Sequence, residues 1–296
     1  MDTNSKTLDA RDYDGAALVF RVTLSKKDNC VVEGESDERF YKSAQISEFR
    51  DKDIEYHYSL RNSSENDENQ PMGVKAVIDA YRRRNTINKK SKSSAYIIDY
   101  DFNSPELYKI EMLTDITTTK PVHSIEAFFL MDENLEKVFR HIGADHLLAK
   151  FKEVCGSMLE ALIEFYALRS TITKASEDEY LKEYEKGFES AYKDDYIFSF
   201  TFSSEGVSFV KSFYDEEVAR MHSVVDKHEK LAADYSKRKK IIKELHQIRG
   251  KTVLSLLEAF FKHYGYDKAI RDSNGDLSKD IVEILTVDLH PKFISH

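Results

Sequence analysis

Two short runs without a charged residue stop abruptly at carboxylates, and they constrain the fold more than any other feature of the chain. Cys30-Val31-Val32 ends at Glu33-Gly34, and Ala95-Tyr96-Ile97-Ile98 ends at Asp99-Tyr100-Asp101. Runs of this length are too short for buried helices and have the β-branched and aromatic character of strands buried on both faces. Between and around them the pattern alternates. Ala16–Ser25 (AALVFRVTLS) is apolar and β-branched and reads as a strand before the turn at Lys26-Lys27-Asp28-Asn29. Ser36-Asp37-Glu38-Arg39 reads as a helix start with Ser36 as N-cap and acidic residues in the first turn. Residues 54–60 (IEYHYSL) read as a strand, residues 61–71 as a polar loop, and Val74–Arg84 as a helix with apolar residues at 74, 77, 78 and 81. Alternation of this kind predicts an α/β core with a mostly parallel sheet flanked by helices. In such sheets chemistry gathers beyond the carboxyl ends of the strands, where both carboxylate clusters fall.

The second half of the chain is predicted to be largely helical. Four prolines and ten glycines in 296 residues leave few breakers. Residues 133–191 are rich in helix formers, and Tyr196–Phe202 is the one predicted strand. Val218, Met221, Val225, His228, Ala232, Tyr235, Lys239 and Ile242 follow a 3-4 rhythm. His228 and Lys239 spoil that seam, so it reads as helix packing or a helical hairpin rather than a coiled coil. The expected division is therefore an α/β core over residues 1–132 and a mainly helical extension over 133–296 that makes dimer or partner contacts.

Charge and cysteine content narrow the class. Lys and Arg number 44 against 53 Asp and Glu, a net charge of −9, which argues against a generally basic nucleic-acid binder. The charge is uneven, however. Arg82-Arg83-Arg84 through Lys89, Lys90 and Lys92 carry six positive charges without a negative one, and Lys237-Arg238-Lys239-Lys240 form a second cluster. Counterion release depends on the contacting charges, so a local patch can still hold phosphates. Two cysteines, Cys30 and Cys155, cannot build a disulfide scaffold, which fits a reducing cytosol. No signal-like start and no apolar run of about 20 residues is present, so the expectation is a cytoplasmic protein without a membrane partner.

Glu33 reads as a turn glutamate or as a site residue at a strand tip. Asp99 and Asp101 would share one face of a strand, where two carboxylates repel unless a cation separates them. Hard oxygen ligands with water completing the shell suit Mg²⁺. Glu126, within Ser124-Ile125-Glu126-Ala127-Phe128-Phe129, is either the outward residue of a helix or a buried charge in need of a partner. His123 beside it reads as structural.

Val31-Val32-Glu33-Gly34-Glu35-Ser36-Asp37 resembles the opening motif of TOPRIM domains, and Ile97-Ile98-Asp99-Tyr100-Asp101 is similar to their Asp-x-Asp motif. Ser124–Phe129 looks like the Ile-Glu-Asn-Tyr string of the branch related to OLD-type nucleases, with Ala127 and Phe128 in place of the Asn-Tyr pair. Arg249-Gly250-Lys251 is a weaker echo. The motifs span about residues 16–130, and that branch includes the effectors of PARIS anti-phage systems. The resemblance implies a metal-dependent TOPRIM endonuclease with Glu33 as acid/base and metal-proximal residue and Asp99 and Asp101 as Mg²⁺ ligands (Mn²⁺ as the alternative). It further implies Glu126 as an additional acidic member and Lys251 as a phosphate contact. It also implies an ABC-type ATPase sensor as partner, activity as a homodimer, and host tRNA as target. Arg82, Arg83, Arg84, Lys89 and Lys90 are the candidate nucleic-acid contacts. Two other expectations stand beside this one: DNA cleavage of the OLD type, and a non-catalytic subunit of an ATPase complex docking through Leu254, Leu257 or Phe260.

Overall fold

A computed structural model describes residues 15–44, 46–58, 73–87, 92–100, 115–120, 122, 124–174, 199–203, 206–210, 214–245, 248, 250–266, 270–272 and 277–295. The chain forms two compact units. The first comprises Met1–Asp99, Lys109–Thr119 and Val287–His296, and the second Tyr100–Tyr108 and Lys120–Thr286. The division inferred from sequence falls at 132/133; in the structure the 120–132 segment belongs with the helices and the last ten residues with the sheet.

Strands β1 (Asp28–Val31), β2 (Ile54–His57), β3 (Ser94–Ile98) and β4 (Thr117–Thr118) form a parallel sheet in the order β2-β1-β3-β4. Val31 stands opposite both His57 and Tyr96. Helices α1 (Gly15–Leu24) and α3 (Val74–Arg82) cover one face, where Leu18, Val22, Val77 and Tyr81 pack on Val31, Tyr96 and Ile98. Burying each such aliphatic side chain is worth about 1.5–3 kcal/mol. Helix α2 (Glu35–Ser43) takes the other face, the Tyr56 hydroxyl donating to the Tyr41 carbonyl at 3.1 Å.

Three local expectations are corrected here. Residues 16–24 are helical, not a strand: Leu18, Val19 and Val22 are buried while Phe20 and Leu24 are about 60% exposed. A strand would have buried 18, 20, 22 and 24 together; the burial instead follows a period near 3.6. Second, Ser36 is not the N-cap of α2. Gly34 is, in extended conformation, and Glu35, Asp37 and Glu38 supply first-turn negative charge that favours the helix N-terminus. Third, Asp28 and Asn29, read as part of a turn, open β1 by pairing with β2 and, from Asn29, with β3. The C-terminal tail also adds an antiparallel bridge to the sheet. Ser94 and Ile294 exchange backbone hydrogen bonds at 2.9 and 2.8 Å, and Phe293 meets Phe49 edge-on at 6.0 Å.

The second unit contains helices α4 (Asp132–Ile142), α5 (Leu148–Lys174), α6 (Tyr214–Val225), α7 (Glu229–Leu245), α8 (Gly250–His263) and α9 (Lys279–Ile284). Phe139, Phe151, Phe260 and Phe261 form its aromatic core, with ring centroids 4.8–6.0 Å apart. The 3-4 seam is interrupted at residues 226–228, so it forms two helices, both packed on α5, in keeping with a helical hairpin. The single strand near 196–202 is replaced by an antiparallel hairpin, β5 (Ser199–Ser203) and β6 (Gly206–Val210). Leu254, Leu257 and Phe260 are buried within the unit, at most 1% exposed. A polar side chain there breaks internal packing before it reaches any docking surface. Among the described residues no helix is long and apolar enough to cross a membrane.

Candidate metal and active site

Strand order places the site. From β1 the chain steps to β2 on one side, then returns across β1 to β3 on the other, so the β1/β3 junction is where connections diverge. Ligands of open α/β sheets bind beyond the carboxyl ends of the strands at such a point. Continuing the β1/β3 register brings Glu33, just past β1, level with the end of β3. There the Glu33 Oε1 accepts the backbone N–H of Asp99 at 2.7 Å, across 66 residues of sequence. A carboxylate bonded to a main-chain amide at a strand end is fixed in orientation by the sheet itself.

Two further residues shape this corner, and neither stood among the sequence-derived site residues. Gly73 caps α3 at φ +49°, ψ −121°, a conformation closed to L side chains, and a Cβ there would sit 3.4 Å from Glu33 Oε2. Asp37 is 8% exposed in the first turn of α2, its Oδ2 folded back toward Gly34. The phenol of Tyr41, one turn further along α2, is pushed well above its ordinary pKa, first by burial and then by the charges of Asp99, Asp37, Cys30 and Glu33. Three carboxylates thus act on the ionisation of one buried phenol, so this corner carries negative charge. The Cys30 thiol is raised as well, by burial and by Asp37, and is no nucleophile.

The donor chemistry fits a hard cation such as Mg²⁺: the carboxylate-bearing residues Glu33 and Asp99 meet at neighbouring strand ends, and Asp37 lies nearby in the first turn of α2. Among the described residues no three carboxylate, His or Cys side chains are gathered closely enough to hold an ion on their own. Water and substrate oxygens commonly complete a Mg²⁺ shell. Asp101 and His123 lie outside the described residues.

In the second unit, Glu126 lies half-buried in a 3₁₀ turn, Ile125–Leu130, where Ser124 Oγ donates to its Oε2 at 2.6 Å. Gly250, the first residue of α8, approaches so closely that a Cβ would fall 2.3 Å from Ser124 Oγ and 2.7 Å from Glu126 Oε2. The structure therefore joins Glu126 to the Gly250-Lys251 segment, 124 residues further on. Glu126 is the partnered acid, not the outward face of a helix, and the α8 N-terminus favours its charge. Lys251 is exposed in the first turn of α8.

The basic stretch sits elsewhere in the first unit. Helix α3 begins at Gly73 beside Glu33 and runs antiparallel to the strands. Arg82–Arg84 therefore lie at the amino-terminal edge of the sheet, about 13 Å along the helix from its start. Arg83 pairs with Asp79 at 2.9 Å; Arg84 lies 3.9 Å over the Tyr81 ring and donates to the Tyr81 carbonyl at 3.0 Å. Two of the three arginines thus also make contacts within the unit. Arg82 is exposed, while Lys89 and Lys90 lie outside the described residues. Compared with family models, with curated proteins and with solved structures, the chain matches none.

Proposed function

We propose that the protein is a Mg²⁺-dependent endonuclease of TOPRIM type, an AriB-like effector of a PARIS-type anti-phage system that cleaves host tRNA once freed from an ABC-type ATPase sensor. The observation that carries the proposal is the Glu33–Asp99 hydrogen bond at the β1/β3 junction, which brings together the two acidic motifs on which the resemblance rests. When bound there, Mg²⁺ supplies charge stabilisation at the scissile phosphate and a more acidic attacking oxygen. Glu33, oriented by the Asp99 amide, takes up the proton of the attacking oxygen. Asp99, with Asp101 two residues on, holds the cation; Asp37 adds negative charge that retains it. In the second unit Glu126 is a further acidic group and Lys251 a phosphate contact. The active form in this proposal is a cytoplasmic homodimer.

Purified protein incubated with total tRNA and with plasmid DNA, in Mg²⁺ and in EDTA, tests the proposal. Metal-dependent scission of tRNA supports it, and scission of plasmid alone moves the substrate to DNA. Intact tRNA and plasmid, with the ATPase partner co-expressed and the sensor triggered, contradict it.

A further inference from the structure

The first unit carries a second concavity, at the opposite edge of the sheet from Glu33 and Asp99. It lies where α2 ends and β2 begins, a groove of about 610 Å³ whose lining includes Tyr41, Lys42, Phe49, Arg50, Lys52 and Tyr56. That volume falls within the range of small-molecule sites. Its wall is aromatic: half-buried Tyr56 lines it and meets the buried Phe49 edge-to-face beneath, with centroids 6.2 Å apart, and Ile54 extends the apolar surface. Its rim is cationic. Lys42 is tied to Glu38, and Lys52 approaches Asp28 at 3.6 Å and lies over the Phe293 ring at 4.4 Å. Arg50 is exposed and has no acidic partner among the described residues. The one carboxylate in the lining, Asp53, is neutralised by Lys27 at 2.8 Å. An aromatic wall beneath an uncommitted guanidinium calls for a planar body carrying a negative charge. Base–aromatic stacking supplies about 1–3 kcal/mol and tolerates any base. Arg binds phosphate through a planar fork of donors.

We propose that this groove binds a nucleotide unit, the base against Tyr56 and the phosphate on Arg50 with Lys52 beside it. The same chemistry is presented by a free mononucleotide and by one nucleotide of an RNA chain. The proposal does not rest on the cleavage reading, since Glu33 and Asp99 lie at the other end of α2.

Calorimetric titration of the full chain in EDTA tests it, with adenosine 5′-monophosphate, adenosine, inorganic phosphate and a short oligoribonucleotide as probes. The expected result is binding of the mononucleotide or the oligonucleotide, with adenosine and phosphate at least about tenfold weaker. Arg50→Gln weakens that binding about tenfold. Tyr56→Leu, which keeps an apolar side chain on β2, erases the preference over inorganic phosphate. Saturation by the mononucleotide assigns the groove to a free nucleotide; binding of the oligonucleotide alone, with the same Arg50 dependence, assigns it to a nucleotide within RNA. Absence of binding by both, or wild-type affinity in folded Arg50→Gln and Lys52→Gln variants, overturns the proposal.

Discussion

At the scale of single residues, the candidate site depends on backbone groups as much as on carboxylates. Gly73 holds a conformation that only glycine adopts readily, and its missing side chain leaves room beside Glu33 Oε2. Gly73→Ala should cost roughly 1–3 kcal/mol, measured by urea denaturation, through the strained φ/ψ pair. His57 makes a second prediction. It is 2% exposed, its Nε2 donates to Asn29 Oδ1 at 2.8 Å, and burial pushes its pKa down to about 4. The folded protein therefore keeps the ring neutral where the unfolded chain, with a pKa near 6.5, takes up a proton. Stability is full above about pH 6.5 and falls as pH drops toward 4, by up to about 3 kcal/mol. His290 works in the opposite sense. Its exposed ring is raised by Glu48 and Asp288, so its contribution is present at low pH and lost as pH rises through the raised value. Unfolding midpoints of wild type and His57→Gln at pH 7, 5 and 4 isolate the buried histidine; equal slopes would contradict the assignment. Neither Gly73 nor His57 was legible as special in the sequence. One needs a dihedral angle, and the other needs to know which strand it lies beside.

At the scale of elements, what was legible followed from length and polarity. The runs that became β1 and β3 and the apolar stripe of α3 identified themselves, because a buried strand needs an unbroken apolar run and a half-buried helix needs a stripe; β2 was legible instead by Ile54 and Tyr56 alternating with Glu55. Glu33 and Asp99 were legible for the same reason, since each terminates one of those strands. Helix α1 was not, because AALVFRVTLS carries β-branched residues whose helical burial is decided by packing on α3. Asp37 was hidden by an ordinary role, as first-turn acids usually serve only the helix dipole. The basic stretch was legible as charge but not as placement. Arg84 stacks on Tyr81, so Arg84→Ala should lower stability by about 1 kcal/mol. It should leave the salt dependence of nucleic-acid binding unchanged, whereas Arg82→Gln reduces the slope by about 0.7–0.9 if that side chain meets a phosphate. Paired stability and salt-titration measurements on the two variants check both statements.

At the scale of the molecule, a net charge of −9 and an acidic sheet corner are compatible with a polyanionic substrate only if cations intervene. In the proposed reaction Mg²⁺ does so at the site. The β1/β3 pairing brings Glu33 and Asp99 together just beyond the strand ends, so neutralising Glu33 should remove chemistry and spare the fold. The decisive measurement is the rate of Mg²⁺-dependent tRNA cleavage by Glu33→Gln beside wild type, with thermal unfolding of both. A fall in rate of about 10²–10⁴-fold at an unchanged melting temperature is the expected result. Cleavage at the wild-type rate by a folded Glu33→Gln protein would contradict the assignment of the site.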